Sequence, residues 1–335
     1  MPANHRRSCR RLPDDQRETR HGGGGMSMVV LAEEDWQARE RAHAERMRAW
    51  TGPHQERRAR GEKHPVLDFL FTYYSHRPGH LERWQPGPGV VLAGASARRF
   101  LERPAYVETE AGVMLDPAAF TGRRARTAEF VLKLLSATAS RAPRLSCFGL
   151  HEWAMVYREP ADSVRHAQVP LRLGSAGTDE VVESMDIRCG HYDAFRFFTA
   201  PARPRNTLAP TREAQVALEQ PGCLHANMDL FKWAYKLDPF VPAELVGDCF
   251  ALAADVRELD MRASPYDLAD YGYRPVPIET AEGRASYARA QAGFAERAAP
   301  LRARLIGLCR GLLADPARPP DPVPESPGRG ADNSA

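Results

Sequence analysis

The sequence lacks the long apolar run that a membrane-spanning helix would need. Its longest apolar stretches lie around residues 66–74 and 249–254, and both are far shorter than the roughly eighteen residues required. No signal-like apolar segment follows the basic N-terminus either. We therefore expect a cytoplasmic protein that has no membrane partner.

Paired cysteines are also missing. The six cysteines are scattered along the chain without a CxxC pair or a disulfide framework, so reduced thiols are expected. Each is predicted to be a small buried apolar residue. Neither the HExxH spacing of zinc proteases nor a Cys-based zinc pattern occurs. A metal site would therefore have to be assembled from residues on different elements.

Charge of one sign is in excess only at the N-terminus. The net charge is +3, and residues 1–25 carry six arginines against three acids, which gives 6 − 3 = +3. The rest of the chain is therefore nearly neutral. This balance makes nucleic acid a weaker candidate partner, although a neutral body can carry a basic stripe by segregating its charges.

The patterning predicts an α+β protein that is mainly α-helical. A chain of 335 residues with 43% apolar content can bury a sizeable core. Four segments are expected in chain order. They are a disordered basic N-terminus (1–27), an exposed charged helix with a polar linker (28–63), a single globular domain (64–313) and a disordered proline-rich tail (314–335).

Helical periodicity predicts helices over 127–140, 147–158, 211–220 and 243–262, and a long helix from Ala281 with Thr280 as its N-cap. The runs VVLAG and GVML, between Gly87 and Pro117, are strand candidates. A small β element is predicted around residues 169–198. Its second strand, IRCGHYDAFRFF, would place His191 and Asp193 on one face.

The stretch GCLHANMDLFKWAYKLDP, residues 222–239, has an unusual density of polar reactive side chains. Read as a helix, it places His225, Asp229, Lys232 and Trp233 on one face. A face of that mixture usually lines a site or a wet interface. We expect the rest of the site to be organised around this stretch.

Three histidines lie near carboxylates in the predicted core. Imidazole with carboxylate is the usual ligand set of zinc and other divalent transition metals. The candidate ligands are His151, Glu152, His191, His225 and Asp229. If they form one site, the three imidazoles must lie in one pocket. The alternative is that each histidine is a structural group oriented by its neighbouring acid.

Acid–base chemistry is a third interpretation of the same residues. A buried Asp229 or Asp193 beside a histidine could activate water, with Lys232 or Arg196 stabilising an anion. Arg262, Tyr266 and Asp267 follow a predicted helix, where they would either form caps and turns or line the rim of a polar pocket. We discount His76 and His80 as a pair, because Pro78-Gly79 breaks the helix that would align them.

Six segments carry a resemblance to a known family: LDFLFTYYSHRPGHLERW, GLHEWAMVYR, GHYDAFRFF, QPGCLHANMDLFKWAYKL, LDMRASPYDL and IETAEGR. Over residues 64–313 the chain resembles a mostly actinobacterial family commonly labelled 3-methyladenine DNA glycosylase. The resemblance implies hydrolysis of the N-glycosidic bond of alkylated purines in damaged duplex DNA. The base would be extruded and stacked on aromatic side chains, and a carboxylate would activate water.

The residues proposed for these roles are candidates by their chemistry, since none lies in a glycosylase motif. The catalytic candidates are Asp229, His225, Asp193 and Lys232, and the substrate-binding candidates are Trp233, Tyr235, Asn227, Arg196, Arg262, Tyr266 and Asp267. Two alternatives stay open. One is a metal-dependent enzyme that uses the His/Asp/Glu cluster on a small molecule. The other is a non-catalytic binding protein with structural His/Asp pairs.

Overall fold

The computed structural model describes residues 28–160 and 168–314. The predicted disordered ends lie outside these residues, apart from Ala314, which ends the last helix. Helices dominate the described chain, which also contains one small four-stranded sheet. The mainly helical α+β class is therefore confirmed.

The described part of the chain contains four strands and eleven α-helices. The strands are β1 (Val29–Leu31), β2 (Val90–Leu92), β3 (Tyr106–Thr109) and β4 (Gly112–Leu115). The helices are α1 (Glu33–Ala59), α2 (Phe69–Tyr73), α3 (Pro78–Glu82), α4 (Arg123–Ala139), α5 (Leu150–Ala154), α6 (Gly174–Ser184), α7 (Tyr192–Phe195), α8 (Gln215–Leu218), α9 (Leu224–Lys236), α10 (Ala243–Arg262) and α11 (Ala281–Ala314). None of the described helices is long and apolar enough to cross a membrane.

The sheet has the strand order β1-β2-β4-β3, with β1 parallel to β2 and the other pairs antiparallel. It contains the strand candidate GVML as β4 and the first three residues of the candidate VVLAG as β2. Gly112 opens β4 with a φ of +139°, and a Cβ atom there would lie 2.1 Å from the carbonyl oxygen of Leu92. Only glycine therefore allows β4 to approach β2 this closely.

The β element predicted around residues 169–198 is wrong. These residues form α6 and α7, with only isolated bridges at Leu171 and Ile187. The side chain of His191 accepts a hydrogen bond from the backbone amide of Ala194 at 3.3 Å, which is an N-cap interaction that starts a helical turn. This local contact overrides the alternating aromatic pattern.

Helix α1 is longer and less exposed than the sequence predicts. It continues through Pro53 to Ala59, so most of the expected polar linker is helical. The side chain of Trp36 is fully buried, donates to the carbonyl oxygen of Ala93 at 2.9 Å and stacks on Trp84. Most residues of α1 are charged or polar, so the sequence pattern does not reveal its narrow buried face. Residues 28–59 thus share the main core with the domain predicted over 64–313.

The C-terminal helices follow the prediction closely and enclose α9. Helix α10 has the predicted bounds, and the Thr280 hydroxyl caps α11 by accepting from the amide of Gly283 at 3.0 Å. Residues 224–234 of α9 are all buried. Its polar side chains therefore face the interior of the protein and need partners there.

We predict that Trp36→Ala destabilises the whole domain, because it removes a buried ring and leaves a cavity between α1 and the sheet. The expected loss in the free energy of unfolding is about 3 to 5 kcal/mol, measured by denaturant titration. Arg41→Ala, at an exposed position of the same helix, is the matched control and should change little. Similar small effects from both variants would show that α1 does not contribute to the core.

Candidate metal centre

Three histidines from separate elements meet in the interior. His151 lies on α5, His191 precedes α7 and His225 lies in the first turn of α9. The ring centroid of His225 is 4.5 Å from that of His151 and 5.2 Å from that of His191. All three rings are buried and line the same cavity. The predicted convergence of the three imidazoles is confirmed.

These histidines and three carboxylates form two sets of potential metal ligands, and within each set the ligand atoms lie within 4.8 Å of one another. The first donor group is His151, His225 and Asp260, and the second donor group is His191, Glu219 and Asp229. The predicted ligand Glu152 is absent from both groups. The two groups instead contain Asp260 and Glu219, which were not among the predicted ligands.

His225 differs from the other two histidines because neither ring nitrogen hydrogen-bonds to any described residue. Its side chain is nevertheless only 6% exposed. Burial lowers the pKa of His225 well below its usual value, and the neighbouring His151 lowers it further. His225 is therefore a neutral imidazole, which is the form that binds a metal.

Arg257 of α10 supplies the counter-charge beside the first donor group. Its guanidinium donates to Glu152 at 2.7 Å and to Oδ2 of Asp260 at 3.1 Å. The other Asp260 oxygen is 2.8 Å from Nε2 of His151. Burial lowers the pKa of His151, but the charge of Asp260, its hydrogen bond and the charge of Glu152 together outweigh burial, so the net shift is upward. Arg257 thus fixes the orientation of both acids.

Lys232 supplies the counter-charge beside the second donor group. Its ammonium contacts Oδ2 of Asp229 and lies 3.0 Å from Oδ2 of Asp193. Asp229 also accepts from the hydroxyl of Tyr74 at 2.9 Å and lies 3.3 Å from Nε2 of His191. Burial raises the pKa of Asp229, but Lys232 and His191 outweigh it and hold that pKa far below normal.

Glu219 completes the second donor group from the loop after α8. Its carboxylate accepts from the Gln215 amide at 2.6 Å and lies 3.6 Å from Nε2 of His191. Burial raises the pKa of Glu219. Two buried carboxylates, from Glu219 and Asp229, therefore face one imidazole.

A narrow cavity leads from the surface to both donor groups. It is lined by His151, His191, His225 and Glu219, and by the exposed residues Arg144 and Arg188. Three cysteines also line it, and burial raises their thiol pKa values, to about 12 for Cys189. These thiols are protonated and are poor nucleophiles. A second small cavity, lined by Glu152 and Arg257, also reaches His225.

Several predicted substrate-binding residues lie away from the cavity that leads to the donor groups. Trp233 packs edge-on against Phe130, and Tyr235 stacks on His76 at 4.7 Å. Asn227 is held by hydrogen bonds to Pro221 and Arg302. These three side chains serve the packing around α9.

The other predicted substrate-binding residues are also held by local contacts. Arg262 donates to the carbonyl oxygen of Arg274 at 3.0 Å, and Tyr266 is buried in a small satellite core. Asp267 accepts from the amide of Ala269 at 3.0 Å, which matches the capping alternative. Arg196 pairs with Asp193 at 3.3 Å, so among this set it alone joins the charged network of α9.

Sequence reasoning missed Asp260, Arg257 and Glu219 as parts of the site. A signal for the first two was present, because they lie three residues apart on the otherwise apolar buried face of α10. Glu219 gives no comparable signal. It lies just after a short helix, and its partners His191 and Asp229 come from other elements.

No protein-family model matches the chain, and neither a curated protein nor a solved structure matches it. Membership of the glycosylase family therefore stays a prediction. The chemistry of the site has to be inferred from its own residues.

The discounted histidines, His76 and His80, are close in space despite Pro78, with ring centroids 5.8 Å apart. Pro78 begins α3 rather than breaking a helix. His76 stacks on Tyr235, and its burial, aided by His80 and Arg83, lowers its pKa from 6.5 to about 4. His76 is therefore neutral in the folded protein above that pH.

This shift predicts a pH dependence of stability. Between pH 6.5 and about 4, the unfolded chain binds a proton at His76 that the folded protein does not, so the free energy of unfolding falls as the pH falls. The expected contribution is about 1 to 3 kcal/mol. His76→Phe keeps the ring stacking but cannot bind a proton, so its denaturant curves should show a smaller decline. Equal declines in wild type and His76→Phe would contradict the assignment. His80→Gln should lessen the decline only in part, because His80 is a smaller cause of the shift than burial.

Proposed function

We propose that the protein is a metal-dependent enzyme that acts on a small molecule and holds a divalent transition-metal ion at the first donor group. The observation that carries this proposal is the neutral His225 imidazole, which is buried without a hydrogen bond beside His151 and Asp260. Two imidazoles and one carboxylate form a ligand set suited to zinc or non-haem iron.

The hydrogen-bonding of His225 argues against a purely structural role. A buried polar group normally has a partner, because leaving it unpaired costs free energy. His151 and His191 meet this expectation through Asp260 and Asp229, whereas the His225 ring has no partner among the described residues and lines the cavity, where water or a ligand can reach it. A ligand that occupies the cavity would supply the missing partner.

The charge balance around the two donor groups also favours a bound cation. Around the two donor groups, four buried carboxylates (Glu152, Glu219, Asp229 and Asp260) face three buried cations (Lys232, Arg257 and Arg302), so 4 − 3 = 1 negative charge remains when the histidines are neutral. Asp68 is buried elsewhere and pairs with Arg57. Asp193 is balanced separately, since it also pairs with Arg196. A bound cation would neutralise the excess, as would a proton on His151.

The surrounding residues suit a small anionic substrate. A bound divalent ion would supply Lewis acidity for polarising a substrate oxygen or activating water. Arg257 holds Asp260 through Oδ2 and so leaves Oδ1 directed at the donor group. Arg144 and Arg188 at the cavity mouth would attract a negatively charged group.

Metal analysis of the purified full-length protein tests this proposal. We expect near-stoichiometric metal in the wild type and much less in His225→Ala and Asp260→Asn, because each variant removes one ligand. His43→Ala is the matched control, since His43 is also buried but bonds to the carbonyl oxygen of Leu81. A well-folded wild type that binds no added Zn²⁺ or Mn²⁺ would overturn the proposal and favour a non-catalytic protein with structural His/Asp pairs.

Glycosidic hydrolysis is a second candidate, and one contact supports it. Asp229 and Asp193 both contact Lys232, and Asp229 also adjoins His191. This carboxylate–cation cluster resembles the general base and anion-stabilising pair that alkylated-purine release would need.

We predict for this candidate that Asp229→Asn abolishes base release from alkylated duplex DNA while the wild type releases base. The carboxylate is the group that would activate water, and the amide cannot replace it. Circular dichroism would check that the variant folds, and Asp255→Asn, which changes an exposed salt bridge, is the control. If the wild type releases no base, glycosidic hydrolysis is excluded as the function.

A further inference from the structure

We propose that a groove formed by the end of α1, the turn after it and α2 binds a nucleoside monophosphate. The groove has a volume of about 440 Å³, which lies within the range of about 300 to 1,000 Å³ that is usual for small-molecule sites. It shares no lining residue with the cavity at the three histidines. A ligand in this groove therefore does not depend on the proposed metal ion.

The carboxylate of Asp68 holds two histidines at the wall of the groove. Oδ1 of Asp68 accepts from Nδ1 of His54 at 2.9 Å, and Oδ2 accepts from the backbone amide of His64 at 2.8 Å. Arg57 also pairs with Asp68 and balances its charge. Burial raises the pKa of Asp68, but the hydrogen bonds from Arg57, His54 and His64 outweigh burial and hold that pKa below normal. Asp68 is therefore ionised and can only accept hydrogen bonds.

The two imidazoles offer opposite hydrogen-bonding groups to the groove. Because Nδ1 of His54 donates to Asp68, Nε2 of the neutral ring is an acceptor. Nδ1 of His64 accepts from the backbone amides of Val66 and Leu67 at 3.2 and 3.0 Å, so the ring proton lies on Nε2, which is a donor. Burial lowers the pKa of His64, which keeps this ring neutral.

Both Nε2 atoms are available to a ligand. Both rings line the groove, and no described residue hydrogen-bonds to Nε2 of either ring. His54 is only 8% exposed, so its acceptor costs free energy unless water or a ligand pairs with it. A metal ion would not match the pair, because only His54 presents a free lone pair.

A nucleobase does match the pair, since its Watson–Crick edge presents a donor beside an acceptor. The groove also has an apolar wall for a planar ring. Phe69 and Phe71 line it, and Phe71 stacks on His54 with ring centroids 4.3 Å apart. This stacking fixes the orientation of the His54 ring, so its acceptor is held in place before a ligand binds.

Two cations at the rim would bind the phosphate. Arg58 and Lys63 line the groove and are exposed, and neither forms an ion pair with a described residue. The neighbouring acid Glu62 is already paired with Arg60 at 2.8 Å. The groove therefore has an excess of positive charge that attracts an anion. Guanidinium and ammonium groups are common phosphate ligands in proteins.

Isothermal titration calorimetry of the full-length protein with AMP, GMP, CMP and UMP tests this site. We expect at least one of these nucleotides to bind with one molecule per chain. It should bind about tenfold or more tightly than its nucleoside or inorganic phosphate, because the base and the phosphate each contribute contacts that the fragments lack.

Single variants separate the two halves of the ligand. His54→Phe keeps a ring that can stack on Phe71 but removes the acceptor, so it should weaken nucleotide binding about tenfold. Lys63→Gln should weaken binding of the nucleotide and leave binding of the nucleoside unchanged. Arg126→Gln, which removes an exposed cation of α4, is the matched control and should bind like the wild type. Circular dichroism would confirm that each variant is folded.

Three results would overturn the site. The first is a wild type that binds none of the nucleotides, and the second is nucleotide binding that His54→Phe leaves unchanged. The third is equally tight binding of nucleotide and inorganic phosphate, which would show an anion site that does not recognise a base. His225→Ala should keep nucleotide binding, because His225 does not line the groove. A failure here would therefore leave the proposed metal site untouched.

Discussion

The burial of ionised side chains around α9 is the constraint on which the rest of the structure depends. Asp229, Asp260 and Glu152 are withdrawn from water, and each can stay charged only beside a cation in contact with it. Lys232 is the cation in contact with Asp229, and Arg257 is the cation in contact with Glu152 and Asp260. The Arg257–Glu152 pair joins α10 to α5, and the Lys232–Asp193 pair joins α9 to α7. These contacts therefore help to fix how the helices pack, and removing one partner would leave an uncompensated charge.

The fold was predictable wherever one apolar face decides the structure. Helix α11 shows this, since its periodic side chains and the Thr280 cap define both its length and its start. Prediction failed where long-range contacts decide. In α1 the buried Trp36 is hidden among charged residues, and its partner Trp84 is distant in sequence. At α7 the cap formed by His191 prevailed over a strand-like alternation.

The candidate site was predictable in part for the same reason. His151, His191 and His225 stand out as single histidines beside acids in apolar segments, and the structure brings them together. Their actual carboxylate partners are mostly not their sequence neighbours. His151 pairs with Asp260, which lies 109 residues away, rather than with the adjacent Glu152. Spacing within a segment reports which groups share an element, but it carries no information about which elements face each other.

The shape of the cavity gives a further reason to prefer small-molecule chemistry over base release. An enzyme that acts on a flipped purine needs a pocket that encloses the base, usually between aromatic rings. Among the described residues, the cavity at the three histidines is narrow and is lined by thiols, Leu208, Leu218 and arginines rather than by aromatic side chains. Trp233 and Tyr235 pack elsewhere in the core. The rings of Phe69, Tyr73 and Phe197 line the second cavity beside His225, but that cavity is too small to enclose a purine. Such a cavity suits a small anionic group that enters past Arg144 and Arg188.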